Sequence, residues 1–258
     1  LVGWGAIGRT AAELVGDAAV DIVAVGVRDR SAPRPDLPAS AQLITEPGDL
    51  AATEPDVVAE AAGRESVGPW GRAALRSGTD LIVSSVSAFA DGALLEELRR
   101  IAAGSGARIE IQPGALAGVD ALAAARFMGL ERVEHRIVKP PAAWKGTPAE
   151  DRCHLDALHE ATSFSTGTAA ETATAFPENA NVAMTSALAG LGPDRTQITL
   201  VADPAATTNR HEITASGGFG TLEVVIANNP LPANPKSSAM AALALARAIT
   251  NRASTISI

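Results

Sequence analysis

Three glycines at the start of the chain carry the spacing of a phosphate cradle. Gly3, Gly5 and Gly8 make G-x-G-x-x-G within Leu1-Val2-Gly3-Trp4-Gly5-Ala6-Ile7-Gly8. The first glycine permits a tight turn out of a strand, and the second lets backbone approach a pyrophosphate. The third lets the next helix pack on its sheet. Free N–H groups at the start of that helix, around Ala6, Ile7 and Gly8, then face the phosphates. Glycine triplets also occur in ordinary turns, so the context decides. A helix over 9–16, with Ala11, Ala12, Leu14 and Val15 apolar, leads into an apolar run from Val20 to Val27. That is β-loop-α-β, the order a dinucleotide site requires. The expected cofactor is NAD or NADP. Only Leu1 and Val2 precede the loop, so the first strand is expected to have lost residues.

After the second strand, Arg28-Asp29-Arg30 stands where such a fold reads the adenosine ribose. An acidic side chain accepts from a 2′-hydroxyl, and an arginine neutralises a 2′-phosphate. Asp29 and Arg28 therefore pull the preference in opposite directions, and Arg30 reads as a solvated turn residue. Further cofactor contacts are expected at the carboxyl ends of later strands: Ala62 within Glu60–Gly63, Ser85 within Ser84–Ser87, and Ala115 within Pro113–Ala115.

The chain has four histidines. His135 alternates on a strand, and His154 and His159 lie in a polar stretch expected to be helical. His211 stands in Thr208-Asn209-Arg210-His211-Glu212-Ile213, at the start of a strand after a polar turn. There it can present its ring at a cleft edge and move protons near neutral pH. A lone histidine is also commonly structural, and the residues alone leave both readings open. Asn179 and Asn181 either contact ligand or cap a helix. Lys139 and Lys236, beside prolines, either bind a substrate carboxylate or are exposed. With no H-E-x-x-H, no C-x-x-C and one cysteine, Cys153, no protein-bound metal is expected.

The elements that must hold these groups read in order. Strands at 56–63, 81–87 and 107–111 alternate with helices at 65–77 and 91–104. This is α/β, a Rossmann-type doubly wound parallel sheet over residues 1–118. Its ligands belong at the carboxyl ends of the strands. A helix over 119–128 opens a second, α+β domain spanning 119–236. It continues with a strand to Lys139, a polar helix over 147–162 and a helix from Phe176 to about Ala189. Strands at 197–202, 210–216 and 220–227 follow and, joined by short turns, read as antiparallel. A proline-pinned loop, Asn228–Lys236, precedes a last helix within 237–258, running to about 250 and expected to return to the first domain.

Composition bounds the class. The chain has 258 residues, 47% hydrophobic and 19% charged, with net charge −8. These values fit a soluble folded protein and argue against nucleic acid or an anionic membrane as partner. One cysteine suits a reducing compartment, so a cytoplasmic location is expected. Neither a transmembrane-length apolar run nor a signal-peptide pattern is visible.

The chain resembles the L-aspartate dehydrogenase family along essentially its whole length. The residues carrying the resemblance are Gly3 to Gly8, Pro113-Gly114-Ala115, Lys139-Pro140 and Phe164-x-x-Gly167-x-Ala169-x-Glu171. Phe176-Pro177-Glu178-Asn179-Ala180-Asn181-Val182-Ala183, Asn209-x-His211 and Asn234-Pro235-Lys236-Ser237-Ser238 complete it. The resemblance implies His211 as catalytic residue, Ala115 and Asn181 as cofactor contacts, and a homodimer built through the second domain. It implies NAD(P)-dependent conversion of L-aspartate to iminoaspartate, then oxaloacetate and ammonia, reversibly, with a place in NAD biosynthesis. Ser87 departs from the family's usual glycine. A related reductase of the homoserine dehydrogenase or dihydrodipicolinate reductase type, or a non-catalytic dinucleotide sensor, is the competing reading.

Overall fold

The computed structural model describes residues 1–16 and 18–257, which form two units. The first comprises residues 1–114 and 241–258, the last of which lies outside the described residues; the second comprises 115–240.

In the first unit α1 (Ala6–Leu14) follows the glycine loop. Then come β1 (Ala24–Gly26), β2 (Gln42–Ile44), β3 (Val57–Glu60), α2 (Arg64–Arg76), β4 (Asp80–Val83), α3 (Gly92–Ser105) and β5 (Ile109–Ile111). All strand pairs are parallel: β1 with β2, β3 with β4, and β4 with β5. Val2 bridges in parallel to Gly26 and to Glu60, so the start of the chain joins the two ladders into one sheet. The resulting order, β2-β1-Val2-β3-β4-β5, reverses direction at the glycine loop, which is the switch point of a doubly wound sheet. Of the expected 20–27 strand only Ala24–Gly26 pairs, and β2, three residues long, was not anticipated.

The sheet of this unit is covered on both faces. Ala11 and Val15 of α1 pack with Ala59, Ile82 and Leu245. Leu245 comes from the last helix, Ala239–Ala253, whose residues from 241 onward belong to this unit. Arg252 of that helix donates to Asp80 and Glu110, each at 2.6 Å. Arg72 on α2 grips Glu97 on α3 through two bonds of 2.7 and 2.6 Å.

The second unit contains α4 (Val119–Ala125), β6 (Leu130–Lys139), β7 (Thr162–Thr168), α5 (Ala169–Ala175), α6 (Ala180–Ala189), β8 (Gln197–Ala202), β9 (Asn209–Gly217) and β10 (Gly220–Asn228). Two short strands, β11 (Pro230–Leu231) and β12 (Asn234–Ser238), precede the last helix, α7 (Ala239–Ala253). The large sheet runs β10-β9-β6-β8-β7. β8, β9 and β10 alternate in direction as expected, but β8 and β9 are not neighbours. β6 lies between them, parallel to β8 and antiparallel to β9. The chain makes this crossing in the turn at Asp203, whose N–H donates to the Lys139 carbonyl at the end of β6.

Residues 147–162 form turns and one short 3-10 segment, Leu155–Ala157, not an α-helix. The partly or fully buried Ala149, Cys153, Leu155 and Leu158 all pack into one cluster. Cys153 and Leu155 are two apart, a spacing that puts them on different sides of a helix. The chain gives up helical geometry to bury both. The Asn228–Lys236 loop contains a β11–β12 hairpin. α5, also missed, starts at a capping box in which Thr168 and Glu171 bond reciprocally.

Candidate active site

In the first unit the glycine loop is shaped by close approach. Gly3 has φ +94, and a Cβ there would lie 2.7 Å from Ala62 backbone. A Cβ on Gly8 would lie 2.5 Å from the Gly3 carbonyl oxygen. Gly5 differs, because a Cβ there would meet nothing within 4 Å. It is also the N-cap of α1, with no side chain capping the helix. Open space in front of uncapped, positively polarised N–H groups suits a pyrophosphate. The residues present thus fit a dinucleotide.

Glu60, at the end of β3, has no exposed surface. Its carboxylate accepts from the N–H groups of Ala62 and Gly63 at 2.8 and 2.9 Å, and from the Ser66 hydroxyl at 2.8 Å. It also accepts from the N–H and hydroxyl of Ser85 at 3.0 and 2.9 Å. One buried carboxylate thereby sets the backbone of two expected cofactor segments, and the sequence reading had not singled it out. Its signal was an acidic residue ending an apolar strand, three positions before Gly63.

Asp29 accepts from the Ser31 N–H and hydroxyl at 2.8 and 2.7 Å, which lowers its pKa. Arg30 donates to the Leu43 carbonyl, and Arg28 is exposed. The exposed Asp36 accepts from Trp4 of the glycine loop and pairs with Arg9, tethering the proline-rich loop there. Ser87 is buried in the 3-10 segment Val86–Ala90.

In the second unit, His135, Ile137 and Lys139 alternate along one face of β6. His211 on β9 pairs with Ile137, and Ile213 pairs with His135. The two histidines are therefore diagonal neighbours, and both are buried. His135 Nε2 is 3.1 Å from His211 Nδ1, and His135 Nδ1 is 2.9 Å from the Ser186 hydroxyl on α6. Burial, then the Lys139 charge, pushes the His211 pKa down to about 3. Burial and His211 hold that of His135 well below its ordinary value. Lys139 is lowered by burial to about 8, opposed by Glu178. Its ammonium lies 4.7 Å from the centre of the buried Trp144 ring, a cation–π contact. Pro140-Pro141 leads into the 3-10 segment Pro141–Trp144 that carries this ring. Trp144 donates to the Val201 carbonyl at 3.0 Å and packs edge-on against Phe164 and Phe176.

Of the residues picked from sequence, the structure brings His211 and Lys139 together. Asn179 is buried at the N-cap position of α6, but its side chain makes no cap bond. Asn181 stands in the first turn of that helix, where its carbonyl accepts from Thr185. Ala115 is buried, and the Asn228 amide holds its carbonyl at 2.9 Å. Lys236 is exposed on β12. His135 and Ser186 were not picked; a histidine on the buried side of an alternating strand was their only trace.

Residues 3–112 match the family described as homoserine dehydrogenase, NAD binding domain. Residues 120–252 match aspartate dehydrogenase, C-terminal. The chain is 56% identical over 257 residues to the L-aspartate dehydrogenase of Brucella anthropi, covering 99% of this chain and 96% of the relative. It is 42% identical over 265 residues to that of Ralstonia nicotianae, covering 100% and 98%. The crystal structure of aspartate dehydrogenase from Thermotoga maritima superposes with TM-score 0.79 at 26% identity, covering 100% and 97%.

Proposed function

The chain belongs to the L-aspartate dehydrogenase family, and we propose that it oxidises L-aspartate with NAD or NADP to iminoaspartate, which water converts to oxaloacetate and ammonia. The observation that carries the reading is His211 beside Lys139 on one buried sheet face of the second unit. A neutral imidazole beside a cation suits a dicarboxylate that must lose a proton-coupled leaving group. The bound nicotinamide supplies the hydride acceptor; orientation and proton movement fall to the protein.

Lys139 holds one substrate carboxylate by a charge-assisted bond, and Asn179 and Lys236 serve the substrate as further donors. His211 takes one proton from water as the oxygen bonds to the imine carbon and the C=N π pair moves to nitrogen, and it hands that proton to the nitrogen. The hydroxyl proton follows through His211 as the C–N bond breaks, so C=O forms and both water protons leave with ammonia. Gly3, Gly5, Ala6, Ile7 and Gly8 would cradle the pyrophosphate; Ala62 and Ser85 of the first unit, and Ala115 and Asn181 of the second, would each contact the cofactor. Arg28 and Asp29 choose between NAD and NADP. The active form is a homodimer in the cytoplasm; among the described residues no helix is long and apolar enough to cross a membrane.

The test is reduced-nicotinamide absorbance with purified protein. The expected result is growth with L-aspartate and not with D-aspartate, L-glutamate or L-homoserine. Turnover of L-homoserine alone would replace this reading with a related reductase. Cofactor binding without turnover in either direction would make the protein a sensor.

A further inference from the structure

The buried contacts behind His211 form a line with a countable number of protons. The Ser186 hydroxyl lies 3.0 Å from the Ala183 carbonyl, to which only the hydroxyl can donate. His135 Nδ1 lies 2.9 Å from that hydroxyl, and His135 Nε2 lies 3.1 Å from His211 Nδ1. Both rings are buried and neutral, so each carries one N–H.

Two arrangements satisfy the pair of histidines. In the first, Ser186 donates to Ala183, His135 Nδ1–H donates to Ser186, and His211 Nδ1–H donates to His135 Nε2. Every one of the three contacts then holds one hydrogen. In the second, Ser186 turns to donate to His135 Nδ1, and His135 Nε2–H donates to His211 Nδ1. The Ser186 and Ala183 oxygens are then left facing each other with no hydrogen between them. The first arrangement makes one more buried bond and is the favoured one.

We propose that His135 is a positioning residue that fixes His211 in the Nδ1–H tautomer, so that the His211 atom accepting the proton from water is Nε2. The inference rests on the reading of His211 as the proton carrier. A base oriented by a third group is a recurrent catalytic device. Here the orienting group is a second imidazole, itself set by a serine. When Nε2 takes its proton, the Nδ1–H bond to His135 becomes charge-assisted and strengthens. The other charge acting on His211 is Lys139, which opposes protonation until a substrate carboxylate neutralises it.

The experiment is ¹⁵N NMR of histidine-labelled protein at neutral pH, with kcat and KM measured alongside. The wild type is expected to show His211 with Nδ1 protonated and Nε2 bare. His135→Leu removes the acceptor, so His211 should shift towards Nε2–H. Its kcat should fall roughly 10- to 100-fold, with little change in KM for L-aspartate. His135→Gln places an amide oxygen where Nε2 stood and should restore both signals in large part. Should the leucine variant fail to fold, the wild-type spectrum and the glutamine variant still decide. A wild-type His211 protonated at Nε2, or an unchanged tautomer and kcat in His135→Leu, would overturn the proposal. Absence of aspartate turnover with the Nδ1–H tautomer present would instead refute the reading of the function.

Discussion

Glu60 and Ser85 stand 25 positions apart and share two hydrogen bonds, the N–H of Ser85 reaching one carboxylate oxygen and its hydroxyl the other. Three more donors from 62–66 complete the set. Glu60→Gln keeps one acceptor but turns an NH₂ towards a donor. A mispaired buried group of this kind costs about 1–3 kcal/mol. The expected outcome is a lower urea midpoint together with a raised KM for cofactor, because both tied segments are cofactor segments. Urea unfolding and cofactor titration check the two effects.

The glycines of the loop separate fold from ligand. Gly8→Ala places a methyl 2.5 Å from the Gly3 carbonyl and should destabilise the first unit. Gly5→Ala meets nothing within 4 Å, at an N-cap with φ −82 that alanine adopts freely. It should leave the melting temperature within about 2 °C while weakening the cofactor ~10-fold or more, since the methyl takes the space of the phosphates. Thermal melts with and without cofactor distinguish the two variants.

The buried histidines predict acid sensitivity. His211 is lowered from 6.5 to about 3, so below pH 6.5 the unfolded chain binds a proton that the folded chain refuses. Stability then falls as pH falls. His211 alone accounts for a loss of about 2 kcal/mol on going from neutral pH to pH 5, and His135 acts in the same direction. Urea unfolding across this range should show the slope, and His211→Asn should reduce it.

Lys139 predicts the opposite limb for the substrate. Its ammonium is lost as pH rises through about 8 in the free protein. The KM for L-aspartate should therefore climb above that pH. Lys139→Met should raise KM ~10-fold or more at neutral pH, in keeping with a lost charge-assisted bond, and flatten the profile. It should also raise the His211 pKa, because one of the two influences depressing it is gone.

Much of this was legible in the sequence where one physical rule acts alone. The glycine loop, β3, α2 and α3 follow from spacing, alternation and helical periodicity. The three-residue β2 has too few residues to show a period. The 147–162 segment misled because tertiary burial of Cys153 and Leu155 outweighed helix propensity. The place of β6 between β8 and β9 depends on the whole sheet, which no local pattern reports. In the site, His211 and Lys139 stood out by residue type and context. Glu60, His135 and Ser186 act through partners distant in sequence, and their roles exist only once the strands and α6 are assembled.

The most direct test of the account is kcat for His211→Asn with L-aspartate. The asparagine amide can still donate to His135 Nε2 where the imidazole Nδ1–H did, so the buried line is preserved while the base is removed. The predicted result is a fall in kcat of ~10²-fold or more, with cofactor KM unchanged. Turnover close to that of the wild type would contradict the assignment of His211 and with it the mechanism built upon it.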